Sequence, residues 1–147
     1  MSRKLTSIAC ALAIFFAAPV FAQDAGDAAP AGLLAYKNKT NLPEVMLSVG
    51  EPLGGPWALK SGQYYEVELT SDGSGEIGLD LSGFSRAIWI DEVVIEGLEI
   101  RPFGLDSIEF DQAGTMEIGF VAVKPGSYSI QIPGATGPAQ ILAITVE

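Results

Sequence analysis

The sequence predicts an all-β, Greek-key β-sandwich of about eight strands, and three observations carry that prediction. From Leu33 onward most apolar residues alternate with polar ones at period 2, the pattern of a strand with one buried and one wet face. Turn residues separate these runs at short intervals, with 17 Gly and 9 Pro along the chain. No convincing helical periodicity and no internal repeat compete with that reading.

Residues 1–22 read as a secretory signal peptide. Arg3 and Lys4 lead an apolar run from Leu5 to Val20, and Val20-Phe21-Ala22 sets a β-branched residue and a small one at the expected places before a cleavage site. A retained membrane anchor is the alternative, because the run is of borderline spanning length; Ser7-Ile8-Ala9-Cys10 is a poor lipoprotein motif that precedes most of the run. Cleavage removes Cys10, the only cysteine, so stability is expected from an apolar core rather than a disulfide. It also removes two of the eight basic residues and none of the 18 acidic ones, taking the net charge from −10 to −12. Nucleic acid and anionic membrane surfaces are then excluded as expected partners. A basic protein or a cationic ligand fits the charge, which solubility also explains. The expected location is the periplasm or the outside of the cell.

Residues 23–32, QDAGDAAPAG, are small, acidic and without periodicity, a flexible leader to a single domain over 33–147. Leu33 to Tyr36 and Val45, Leu47 and Val49 are the first strand signals, with a turn at Asn41-Leu42-Pro43. Glu51 to Gly62 is dense in Gly and Pro and is expected to be a loop with Trp57 in its middle. Tyr65, Val67 and Leu69 alternate with polar neighbours, Ser71 to Gly75 is turn chemistry, and Ile77, Leu79 and Leu81 alternate again, so Tyr64 to Leu81 is expected to be a hairpin. Across Phe84 to Ile95 the β-branched residues predict a strand that Asp91-Glu92 interrupts with a bulge or turn. Pro102 confines the Gly97 to Gly104 stretch to an edge or a loop. Ile108 and Phe110 precede another turn, and Ile141 to Val146 closes the fold.

The clearest stretch is Ala113 to Gly134, two alternating strands hinged on Lys124-Pro125-Gly126. Val123 to Tyr128 has the form of a tyrosine corner, in which a tyrosine hydroxyl at a sandwich corner bonds backbone a few residues upstream, so Tyr128 is expected to be structural. Phe120, followed after three residues by Lys-Pro-Gly-Ser-Tyr-Ser-Ile, resembles the end of a cupredoxin, the family of plastocyanin-like and azurin-like copper proteins, over about Leu42 to Val146. In that family the tyrosine strand leads to a loop bearing a Cys, a His and usually a Met ligand, with a second His earlier in the chain. The resemblance places Ile132 where the Cys would be, Ala135 near the His, Gln140 near the Met and Arg86 near the earlier His. The chain has no histidine at all. A blue-copper site needs two imidazoles and a thiolate, so the resemblance implies the fold without the electron transfer, and no metal or other cofactor is expected.

Other candidate chemistry rests on carboxylates and aromatics. Asp72-x-Ser74-x-Glu76 spaces oxygen atoms as a calcium loop does but lacks the closing bidentate Glu, and a turn accounts for it. Asp91, Glu92, Glu96 and Glu99 cluster in sequence, and a carboxylate pair is what a glycosidase uses. Met46 and Met116 read as core or strand-face residues rather than a thioether copper site. Trp57 and Trp89 are the candidate partner contacts, since an aromatic on a rigid sandwich stacks on a sugar or anchors a protein contact. These observations lead to an exported, metal-free binding or accessory module that is not an enzyme and whose partner is an unknown protein or small ligand. A carboxylate-based, calcium-like cation-binding protein and a hydrolase with a carboxylate pair are the alternatives.

Overall fold

Period-2 alternation becomes two facing sheets in the computed structural model, which describes residues 32–147. The expected signal peptide and the leader up to Ala31 lie outside the described residues. One sheet, here the broad sheet, runs β1 (Lys39–Asn41), β4 (Tyr64–Ser71), β9 (Gly114–Ala122), β6 (Ile88–Ile95) and β7 (Leu98–Ile100), with β2 (Val45–Leu47) paired farther along β4. The second sheet runs β3 (Trp57–Leu59), β11 (Ile141–Val146), β10 (Gly126–Gln131), β5 (Ile77–Asp80) and β8 (Ser107–Phe110). The fold is therefore an all-β sandwich with 11 strands among the described residues rather than about eight. Several of the additional strands are three residues long, too short for alternation to reveal.

Several expected elements are corrected. Tyr64 to Leu81 is no hairpin: β4 belongs to the broad sheet and β5 to the other, so the turn between them carries the chain across the sandwich. That turn is tied by side chains, the Asp72 carboxylate accepting from the Ser48 hydroxyl at 2.6 Å and from the Ser74 amide at 2.8 Å. Gly73, at φ +72°, leaves no room for a side chain, because a Cβ there would lie 2.8 Å from the Ala113 backbone nitrogen. Leu33 to Tyr36 forms a turn leading into a 3-10 helix at Tyr36–Asn38, and Val49 lies beyond the end of β2. Asn41 belongs to β1 and not to a turn.

A one-turn helix, α1 (Ser82–Ser85), which alternation did not predict, places Phe84 between the sheets at the centre of the core. Its ring meets Phe120 edge to face at 5.4 Å and stands 6.3 Å from both Trp57 and Tyr128. Edge-to-face contact suits the quadrupoles of two rings, and this cluster joins β9 to β3 and β10 across the sandwich. Ser71 is the one buried polar residue among those described, and its hydroxyl accepts from the Gly73 amide. No buried side-chain polar atom among the described residues lacks a partner. No helix among them is long and apolar enough to cross a membrane.

At the end of β9 the chain changes sheets through the tyrosine corner. The Tyr128 hydroxyl donates to the Lys124 carbonyl at 3.0 Å and lies 3.3 Å from that of Pro125. Gly126 stands under the ring at φ +151°, where a Cβ would come within 2.8 Å of the hydroxyl.

Candidate contact surface

The surface that stands out is built by the β6–β7 hairpin at one edge of the broad sheet. β6 carries the predicted irregularity as a β-bulge between Ile90 and Glu92 opposite β9. The extra residue restores alternation on both sides of the acidic pair, so Ile90 and Val93 both face the core while Glu92 faces out. Glu96 and Gly97 make the turn into β7 at φ 49° and 80°, two successive left-handed residues as a tight type I′ hairpin demands.

On the outer face, Arg101 holds the edge strand to its neighbours. Its guanidinium bonds Asp91 at 2.9 Å and Glu92 at 3.4 Å, and it pairs with Glu99 of β7. The Tyr64 hydroxyl donates to the other Asp91 oxygen at 3.1 Å. Burial, together with Asp91, pushes the Tyr64 phenol well above its ordinary pKa. Burial also raises the Glu92 carboxyl, followed by the neighbouring charges of Glu99 and Asp91, with Arg101 opposing them. Gly119 keeps this site open, since a Cβ there would sit 3.0 Å from the Tyr64 hydroxyl and 3.2 Å from the Glu92 side chain. The face continues acidic across β9 and β4, where Glu117 and Glu68 stand directly opposite each other. Like charges in that register repel.

The inner face of the same hairpin is apolar and partly uncovered. Leu98, Ile95, Met116 and Leu69 are successive cross-strand neighbours in one row over β7, β6, β9 and β4. Their exposure falls from 64% through 40% and 5% to 1% along the row. The next row, Ile100, Val93 and Ile118, behaves likewise, with only Ile100 exposed. The core layer of the broad sheet thus runs past the cover of the second sheet and out to the edge. A groove beside it is lined by Ile95, Ile108, Phe110 and Met116 and rimmed by Glu96, Glu109 and Asp111, with no basic residue.

The sequence-predicted sites distribute unevenly around this surface. Trp57 is 5% exposed and belongs to the core, paired with Ile144 of β11, so it is removed from the contact surface. Its loop contains a strand that the density of Gly and Pro concealed. Trp89 is 54% exposed on the outer face of β6. Of the positions aligned to copper ligands, Ile132 packs against the core and its amide bonds the Gln140 carbonyl, while the Ala135 amide bonds the Ile132 carbonyl. Those three lie together beyond the C-terminal end of β10. Arg86 precedes Ala87, whose carbonyl receives the amides of Val123 and Lys124 at the tyrosine corner, and its side chain pairs with Asp106 at 3.8 Å. Aliphatic groups, an amide and a guanidinium offer neither the thiolate nor the imidazoles that copper of this type requires, so the residues present do not fit the metal.

Asp72 and Ser74 serve the turn, and Glu76 lies instead with Glu109 and Asp111, three exposed carboxylates whose oxygens approach within 4.8 Å. Met116 is core, and Met46 is exposed on the opposite face of its strand. The apolar surface of Leu98, Ile100 and Phe103 was missed. Its only signal was the alternation of Leu98 and Ile100 around Glu99, which says that one face is apolar and not whether anything covers it.

No protein-family model matches the chain, and no curated protein does. Among solved structures, a multicopper oxidase from Pseudomonas thermotolerans matches 76% of the chain at 16% identity with a TM-score of 0.53. A bacterial laccase-like multicopper oxidase from Ochrobactrum sp. matches 77% at 9% identity with a TM-score of 0.56. The chain spans 30% and 32% of those proteins' lengths. At such identities the likeness is one of architecture alone, and the chain has a cupredoxin-like β-sandwich fold.

Proposed function

We propose that this chain is an exported cupredoxin-like module that acts by binding a partner rather than by redox or hydrolytic chemistry. The observation that carries this reading is the ligand region itself, where Ile132 packs into the core at the position matched to the copper cysteine and Arg86, matched to the earlier histidine, pairs with Asp106. A fold stripped of its metal ligands while still carrying an uncovered apolar edge has its remaining distinctive chemistry at that edge. The amino-terminal pattern of Arg3-Lys4, apolar run and Ala22 supports export to the periplasm or beyond.

The experiment is a Cu(II) titration of protein purified from the exported fraction, read by visible absorption and thermal melt. The expected result is weak, pale binding to carboxylates or the amino terminus without a thiolate charge-transfer band. An intense band, or a large stoichiometric rise in melting temperature, overturns the reading. The same melt repeated with Ca(II) separates the cation-binding alternative, which the three carboxylates of Glu76, Glu109 and Asp111 favour. A marked rise at equimolar Ca(II) would transfer the function to that site.

A further inference from the structure

We propose that the uncovered edge of the broad sheet is a docking site for an extended, basic segment of another protein, which adds as a strand beside β7. The inference rests on the binding-module reading and names the kind of partner. The open edge, its side chains and the charge around it support the proposal. β7 is the last strand of its sheet, so the outward main-chain groups of Leu98–Ile100 have no neighbouring strand among the described residues. An edge of that kind templates a further strand unless it is blunted by Pro, a bulge or inward charge. β7 is short, at three residues, but it carries no proline, bulge or inward charge, and its one charge, Glu99, points outward into the Arg101 pair. The Arg101 contacts to Asp91 and Glu92 of β6 hold the strand in place for an incoming chain.

Side chains supply the second part. A strand added beside β7 would extend both apolar rows, setting its inward residues against Leu98 and Ile100. Alternation then assigns the partner apolar residues at every second position. Phe103, fully exposed just beyond the end of β7, offers a further apolar contact to the same segment.

Charge decides between occupants. The adjoining groove is rimmed by Glu96, Glu109 and Asp111 without a single basic residue, and Glu76 stands beside the last two. A second copy of this chain, with formal net charge −10, would bring acid against acid. By the same alternation a lysine- or arginine-bearing segment turns its basic side chains to the outer face, where Asp91, Glu92 and Glu99 outnumber the single cation they share, Arg101, and the field of the whole chain steers it there.

The test uses the exported protein and two synthetic peptides, one alternating lysine with valine and one alternating glutamate with valine. Binding is mapped by backbone amide chemical shifts and quantified by titration at low and high salt. The expected result is that the lysine peptide shifts the amides of Ile95 and Leu98–Ile100 and that the glutamate peptide does not bind. Leu98→Glu should weaken the lysine peptide about tenfold or more, and Trp89→Ala, on the outer face, should change it little. Leu98→Thr, which keeps β-propensity, replaces Leu98→Glu if the latter fails to fold, with a smaller loss expected in the same direction.

Shifts centred instead on Glu66, Glu68 and Glu117 would reduce the effect to general acidity and overturn the proposal. Equal affinity in the Leu98 variants would do the same. Sedimentation showing a concentration-dependent dimer abolished by Leu98→Glu would assign the edge to a second copy. A thiolate copper band would defeat the binding-module reading and leave the peptide map unaffected, so the two failures are distinguishable.

Discussion

Replacing Gly126 by alanine tests whether the tyrosine corner holds the two sheets together. The new Cβ would lie 2.8 Å from the Tyr128 hydroxyl and 3.1 Å from the ring carbon that bears it. Relief requires the ring to swing, and the ring packs on Phe84 while its hydroxyl donates to the Lys124 carbonyl near that of Pro125. Backbone at φ +151° adds about 1–3 kcal/mol of strain for a residue with a side chain. Loss of the hydroxyl's hydrogen bonding adds about 0.5–1.5 kcal/mol. Gly126→Ala should therefore cost about 2–4 kcal/mol, whereas Tyr128→Phe, which removes only the hydroxyl, should cost about 0.5–1.5 kcal/mol.

The double variant is the decisive one. With the hydroxyl already absent, alanine no longer displaces a hydrogen-bonded group, so the two costs should fall short of additive by about 0.5–1.5 kcal/mol. Urea denaturation followed by far-ultraviolet circular dichroism at constant slope measures all three variants. Full additivity, or a Gly126→Ala protein as stable as the parent, would refute the argument that this glycine exists to admit the tyrosine.

Two further outcomes follow from the hairpin and its outer face. Glu96→Asn should stabilise by roughly 0.5–1 kcal/mol, because asparagine tolerates the left-handed φ of 49° better than glutamate at the first turn position; a thermal melt checks the sign, and destabilisation would mean that the Glu96 side chain serves another purpose. Tyr64 has a folded-state pKa raised above the ordinary value of 10.0, so the neutral phenol bonded to Asp91 contributes stability that is present below pH 10.0 and lost as pH rises above it. Tyr64→Phe should flatten that alkaline loss in urea midpoints measured upward from neutral pH, and an unchanged alkaline slope would contradict the assignment.

How much was legible in the sequence depends on what each signal encodes. Alternation reported faces correctly: Ile118, Phe120 and Ala122 are all buried, and so are Tyr65, Val67 and Leu69. Turn chemistry located Asp72 to Gly75 because Asx bonding and a left-handed glycine are local events. The break in alternation at Asp91-Glu92 announced a bulge or turn for the same reason, and the structure has the bulge. Main-chain pairing is not local, and a turn says only that the chain reverses. The structure alone showed that Ser71 to Gly75 carries the chain into the other sheet instead of back along its own.

Trp57 illustrates the same limit for burial. Its neighbours Gly54, Gly55 and Pro56 marked a loop, yet β11 supplies a parallel partner from the far end of the sequence and the core closes over the ring. The sandwich architecture and the lack of any histidine are properties of residue type and spacing, so they could be read from the chain alone. Which apolar faces remain uncovered is a property of where the second sheet ends. Leu69 and Leu98 carry the same side chain in the same cross-strand row, and only the width of the opposite sheet buries one and exposes the other.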